Sequence, residues 1–351
     1  MGERKVGIMP TEHAMIPAST RLAQPSDWRK DYRDAITCPR ELLAELGLEH
    51  LSHRVPADAA GFPLRVPRAF VARMRRGDPD DPLLRQVLPL DEETRYVPGF
   101  LTDAVGDLAA RETRGLLHKY EGRALLVATG SCAVNCRYCF RRHFPYGEET
   151  AAANGWRAAI EHLLANTDID EVLLSGGDPL SLSTAKLAEL TDALRAAPHL
   201  RRLRIHSRLP VVLPARVDAA LLDWLDSLPW PAVMVIHANH AQELDDSVAE
   251  ACAALAARRV RLYNQSVLLR GVNDRAETLV ALSEKLFEIG VQPYYLHQLD
   301  RVAGTAHFEV PEADALALYE TLRARLPGYL LPRLVREVQG APAKLPLSGT
   351  S

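Results

Sequence analysis

From residue 123 onward the chain alternates short apolar runs with longer amphipathic ones, the pattern of βα units wound about a parallel sheet. Six runs are too short for helices and are bounded by turn residues: Ala124 to Ala128, Glu171 to Leu174, Leu203 to His206, Val233 to Ile236, Val260 to Tyr263 and Gln292 to Leu296. Between them lie Trp156 to Leu164, Thr184 to Ala196, Val217 to Leu228, Leu244 to Ala257 and Ala276 to Ile289, with apolar residues three and four apart; a further helix, Glu312 to Arg325, follows the last strand. Six units are too few for an eight-stranded barrel. The right-handed crossover rule winds them into an open, partial (β/α)6 barrel, so the expected class is α/β.

Such a barrel leaves sheet edges that need a cover. Two segments remain to supply it: residues 1–118, helical and loop-rich with prolines at 56, 63, 67, 79, 82, 89 and 98, and the short C-terminal segment 328–351. The barrel itself is expected over 119–327. Pro39 to Leu46 and Arg68 to Arg76 read as short helices, and the acidic prolyl turns from Gly77 to Pro82 read as surface punctuation without chemistry. A net charge of −3 and the lack of basic tails argue against a nucleic-acid partner. No apolar run approaches the roughly 20 residues that span a bilayer, and Met1 to Pro10 lacks a secretory apolar stretch, so no membrane partner and a cytoplasmic location are expected.

Cysteine usage sharpens the reading. Of five cysteines, Cys132, Cys136 and Cys139 fall within eight residues while Cys38 and Cys252 stand alone, which does not resemble a disulfide framework. The triplet follows the first strand, at the barrel end where enzymes of this architecture keep their active sites. Three neighbouring thiolates can hold three irons of a [4Fe-4S] cube and leave the fourth open to a cofactor. Structural zinc is the alternative: it needs a fourth ligand, which His143 could supply, although no second Cys-x-x-Cys is present. Further polar groups end successive strands: Ser175-Gly176-Gly177-Asp178, His206-Ser207-Arg208, His237-Ala238-Asn239-His240 and Asn264-Gln265-Ser266. Their convergence on one mouth suggests a binding site.

Cys-x3-Cys-x2-Cys after the first strand of a partial barrel resembles the radical S-adenosylmethionine (SAM) superfamily. That resemblance implies a radical SAM barrel whose cluster binds and cleaves SAM. It implies Tyr138 near the adenine and the Ser175-Gly176-Gly177-Asp178 turn at the amino group, with Ser207, His237 and Gln265 as further cofactor contacts. Arg204 to Arg216, Asn264 to Asp274 and Tyr294 to Asp300, together with Leu116 to Tyr120 and Cys136 to Phe144, are similar to the lysine 2,3-aminomutase family. The similarity covers most of residues 90–347 and looks closest to the short bacterial branch that makes β-lysine for modification of translation elongation factor P.

The family resemblance assigns the remaining roles. Lys344 matches the lysine that carries pyridoxal phosphate (PLP), and Arg123, Tyr120 and Arg142 match holders of its phosphate. Arg141 matches the grip on the substrate carboxylate, its planar fork suiting bidentate pairing. Asp300 and Glu337 match the pair of carboxylates around the ε-ammonium of L-lysine, with Glu337 standing where the family pattern has aspartate. An electron donor of the flavodoxin or ferredoxin type and a downstream ligase for elongation factor P are implied as partners, and a homo-oligomer is left open. The rival readings are an aminomutase for another amino acid such as glutamate, against which Asp300 and Glu337 argue, a relative without PLP, and a non-catalytic zinc-stabilised scaffold.

Overall fold

A computed structural model describes residues 27–56, 61–149 and 156–347. The Met1 to Pro10 stretch and the tail from 348 onward lie outside the described residues. Ten strands form one sheet in sequence order: β1 (Arg111–Thr113), β2 (Leu116–Tyr120), β3 (Arg123–Thr129), β4 (Glu171–Gly176), β5 (Arg202–Ser207), β6 (Ala232–Ile236), β7 (Arg261–Val267), β8 (Gln292–His297), β9 (Arg333–Arg336) and β10 (Leu345–Pro346). Neighbours from β3 to β9 pair in parallel, whereas β1 and β2 at one edge and β10 at the other run antiparallel to their neighbours.

The six expected strands are β3 to β8, and the expected helices occur as Arg157–Ala165, Thr184–Leu194, Ala219–Ser227, Asp246–Ala257, Ala276–Glu288 and Glu312–Arg325. Ser183, Asp218 and Asp245 each accept a backbone N–H at a helix start, which explains where three of these helices begin. Their apolar stripes, such as Leu187, Leu190 and Leu194, are fully buried against the sheet.

Both flanks meet the edges of the barrel sheet. In the C-terminal segment β9 pairs with β8 and extends the parallel sheet, satisfying the edge groups of β8. The N-terminal region packs into the barrel itself. Trp28, Leu42, Leu43, Phe70 and Leu84 share one continuous core with barrel residues such as Leu126, Leu174 and Ile236. The sheet thus crosses both boundaries drawn at 118 and 328.

The Gly77 to Pro82 turn is corrected: Asp81 is fully buried, caps the helix Pro82–Arg85 through the amides of Leu83 and Leu84 (both 2.9 Å), and accepts from Gln242 at 2.7 Å. It fastens the N-terminal region to the loop after β6. Similar ties reach the cysteine loop, where the Tyr32 hydroxyl donates to the carbonyl of Cys132 (3.0 Å), Asn135 Nδ2 to that of Pro63 (2.9 Å) and Arg137 N–H to that of Gln86 (2.9 Å).

Candidate active site

The chain leaves β3 at Thr129 and turns immediately through Gly130 into the cysteine loop. The end of β4 packs on that turn so closely that only glycine fits. A Cβ at Gly176, whose φ is +115°, would lie 2.6 Å from the Thr129 carbonyl, and one at Gly177 would lie 2.5 Å from that of Ser131. The backbone seals the contact: Gly177 N–H donates to Thr129 O (2.7 Å) and Asp178 N–H to Ser131 O (2.8 Å). The Gly-Gly pair therefore has a structural duty in addition to lining the cavity.

Asp178 lines the cavity beside Gly176 and Gly177, whereas Ser207 does not. Asp178 accepts from Leu180 N–H (3.0 Å), Ser207 Oγ (2.7 Å), Arg208 N–H (2.7 Å) and Leu209 N–H (3.1 Å). Burial outweighs these bonds and moves its carboxyl up to about 6. Ser207 is fully buried behind Asp178 and does not line the cavity. Both residues brace strand ends through these hydrogen bonds.

Cys132, Cys136 and Cys139 are half-buried free thiols on the wall of a cavity of about 490 Å³. Burial, reinforced by Cys139, pushes Cys132 well above the ordinary thiol range, and burial with Cys136 pushes Cys139 up to about 11. Two neighbouring thiols whose ionisation is opposed in the empty site fit a cationic iron cube, whose charge supports the thiolates it binds. Among the described residues no three His, Cys, Asp or Glu side chains are grouped as one metal ion requires. Tyr138 also lines the cavity; its hydroxyl accepts from Asn239 Nδ2 (2.7 Å) and its ring meets Phe308 edge-on at 6.3 Å.

The same cavity reaches Lys344. The β9–β10 hairpin sets Leu345 opposite Arg336, which folds Lys344 back onto Glu337, and the two form an ion pair. Glu337 also accepts from the Tyr120 hydroxyl (2.7 Å) and faces Lys119 Nζ at 3.4 Å. Burial alone would raise the Glu337 carboxyl; the Lys344 ammonium, with Tyr120 and Lys119, overrides it and brings it down to about 2. Lys119 continues to Asp107 (2.6 Å), Asp107 to Arg141 Nε (2.6 Å), and Arg141 Nη1 to Ser175 Oγ (3.2 Å). A chain of alternating charges therefore links Arg141 with Lys344. Asp300 faces the cavity nearby, its carboxyl raised to about 7 by burial and then by Glu337.

Arg123 lines the cavity with its guanidinium 4.6 Å above the Tyr120 ring. Arg142 does not reach it: its Nη2 pairs with Glu93 (2.7 Å) and its Nη1 donates to the carbonyls of Arg137 (3.1 Å) and Gly304 (3.0 Å). Two adjacent arginines thus face opposite ways, and the expected phosphate role of Arg142 is corrected to a structural one. Arg204 and Arg333, which sequence reasoning missed, line the cavity instead. They sit in the first half of β5 and at the start of β9, so the cavity runs down the barrel from the cysteine loop toward the strand N-termini.

Several wall atoms lack a partner among the described residues: Nε2 of His206, His237 and His297, and Oε1 of Gln265. Burial lowers His237 to about 4 and holds His206 and His297 well below the ordinary histidine range, so all three are neutral. Buried polar atoms in a native fold are rarely unpaired, and those lining a cavity are suited to a polar ligand. Of the other missed residues, Lys119 lay within the Leu-Leu-His-Lys-Tyr run, whereas Asp107 sits in irregular chain with no periodic signal.

A family model described as a 4Fe-4S single cluster domain matches residues 120–203. The chain is 48% identical over 323 residues to the L-lysine 2,3-aminomutase of Escherichia coli strain K12, spanning 92% of this chain and 94% of that one. It is 44% identical over 331 residues to the protein of that name from Haemophilus influenzae, covering 94% and 98%, and 33% identical over 324 residues to that of Clostridium subterminale, covering 92% and 78%. Among solved structures, a radical SAM methyltransferase from Sphaerobacter thermophilus overlays with a TM-score of 0.41 at 18% identity, over 63% of this chain and 68% of that one.

Proposed function

The chain belongs to the lysine 2,3-aminomutase family, and on that premise we propose that it is a radical SAM isomerase that moves the amino group of L-lysine from carbon 2 to carbon 3. The observation that supports this reading most directly is that one cavity is lined both by the three cysteines and by Lys344. Bound there, SAM at the iron–sulfur cluster supplies a carbon radical that removes hydrogen, and PLP supplies a conjugated ring that carries the migrating nitrogen.

The protein's own task is orientation, charge pairing and exclusion of water. Cys132, Cys136 and Cys139 would hold the cluster; the unpaired atoms of His237 and Gln265, with Tyr138 and the Gly176-Gly177 turn, would receive SAM. Lys344 would hold PLP, with Arg123 and Tyr120 toward its phosphate. Arg141, already fixed by Asp107 and Ser175, presents a guanidinium for the substrate carboxylate, while Asp300 and Glu337 offer two carboxylates to its ε-ammonium. The ammonium of Lys344 now occupies Glu337. With Lys344 holding PLP, that carboxylate would be left for the ε-ammonium of the substrate. An aminomutase for glutamate would need cations or amides at this end, and the carboxylate pair disfavours it.

In this reading β-lysine passes to a ligase that modifies elongation factor P, and electrons come from a flavodoxin- or ferredoxin-type donor in the cytoplasm; the resemblance to the short bacterial branch is the support. Among the described residues no helix is long and apolar enough to cross a membrane. The test is to incubate anaerobically purified, iron-loaded protein with reductant, SAM, PLP and L-lysine, and to separate α- from β-lysine. Formation of β-lysine is expected; loaded protein that leaves lysine unchanged refutes the assignment.

A further inference from the structure

Beneath the cysteine loop lies a buried polar network that substrate recognition does not use. Arg208 follows β5 and is almost fully buried. Its Nη1 donates to Cys136 Sγ at 2.8 Å, while its Nη2 donates to Gln86 Oε1 (2.7 Å) and to Glu243 Oε2 (2.9 Å). Gln86 and Glu243, both completely buried, lock each other through Gln86 Nε2 to Glu243 Oε1 (3.0 Å), and Asn239 Nδ2 donates to Gln86 Oε1 (2.9 Å). The guanidinium carbon lies 5.3 Å from the ring centre of Phe70 and 5.6 Å from that of Tyr138. Its side chain also lines the cavity wall, held there by these three hydrogen bonds. Of the three cysteine sulfurs, only that of Cys136 receives a charged donor among the described residues.

We propose that Arg208 tunes the iron–sulfur cluster, its hydrogen bond to Cys136 Sγ raising the cluster's reduction potential, with Glu243 and Gln86 as the residues that position it. The physical reason is that a cluster gains negative charge on reduction; a fixed cation beside a ligating sulfur stabilises the reduced form more than the oxidised one. Glu243 works in the opposite sense, since its carboxylate offsets part of that charge. The inference rests on the cysteine loop holding a cluster.

The test is an EPR-monitored redox titration of anaerobically reconstituted protein without SAM or lysine. Arg208→Gln, which keeps a polar side chain in the slot, is expected to lower the equilibrium constant for cluster reduction about tenfold, about 59 mV for a one-electron couple. Glu243→Gln, which keeps an acceptor for the amides of Asn239 and His240, is expected to shift the potential the other way. Opposite signs separate tuning from general damage, which would move both variants alike. Unchanged potentials in iron-loaded variants, or shifts of one sign, overturn the proposal alone. Parent protein that binds no iron removes it together with the cluster reading.

Discussion

Asp300 is expected to set the pH dependence of lysine capture at the expense of the empty fold. Burial, then the nearby Glu337, moves its carboxyl from 3.8 to about 7, the ammoniums of Lys344 and Lys119 recovering only part of that. At about 1.36 kcal/mol per pH unit, the displacement is worth about 4 kcal/mol. The carboxyl faces a cavity that water can enter, so this value is a ceiling. Between 3.8 and about 7 the folded chain keeps a proton that the unfolded chain has released, so stability falls as pH rises through that window, and the loss is complete above it. Asp300→Asn removes the ionisation. Without lysine, the variant is expected to melt above the parent at pH 8 by up to about 8 °C, at about 2 °C per kcal/mol, with the gain shrinking toward pH 5. Lysine turnover moves the other way: in the parent, kcat/KM should fall about tenfold per pH unit below 7, because protonated Asp300 cannot pair with the ε-ammonium. The variant should be slow and lack that acid limb. Scanning calorimetry across pH and a kcat/KM profile from pH 5.5 to 8 decide the matter. Equal melting at pH 8, or a flat parental profile, would refute the reasoning.

Lys344→Ala should abolish the near-visible absorbance of protein-bound PLP while leaving the brown iron–sulfur absorbance intact; a retained PLP band would exclude Lys344 as its anchor. Glu93→Gln should cost about 3–5 kcal/mol in urea unfolding, because the buried guanidiniums of Arg137 and Arg142 both pair with that one carboxylate; a loss under about 1 kcal/mol would contradict the structural role given to Arg142. Gly177→Ala should lower iron bound per chain with circular dichroism unchanged, since its Cβ would press on the Ser131 carbonyl at 2.5 Å and displace the cysteine loop.

Much of this architecture is written in local pattern. The strands β3 to β8 are apolar enough to show themselves without context, and the helices between them carry three- and four-residue stripes. The cysteine spacing and the Gly-Gly turn are likewise contiguous in sequence, so the residues that line this end of the cavity are legible in it. β9 was not. Its four residues begin and end with arginine, and it exists because the unpaired edge of β8 offers it hydrogen bonds. Asp107 was equally invisible, because its role comes from Lys119 and Arg141, brought to it from 12 and 34 residues away.

By itself, then, the sequence determined which groups of atoms are available: three thiols in one loop, a lysine beside a prolyl turn, carboxylates and guanidiniums in recognisable runs. The tertiary structure decided which of them share a cavity. Arg141 and Arg142 are chemically identical neighbours, yet Asp107 draws one to the cavity wall and Glu93 draws the other into the protein mass. A charge in low dielectric goes where a partner already stands, and partner positions are fixed by long-range packing rather than by neighbours along the chain.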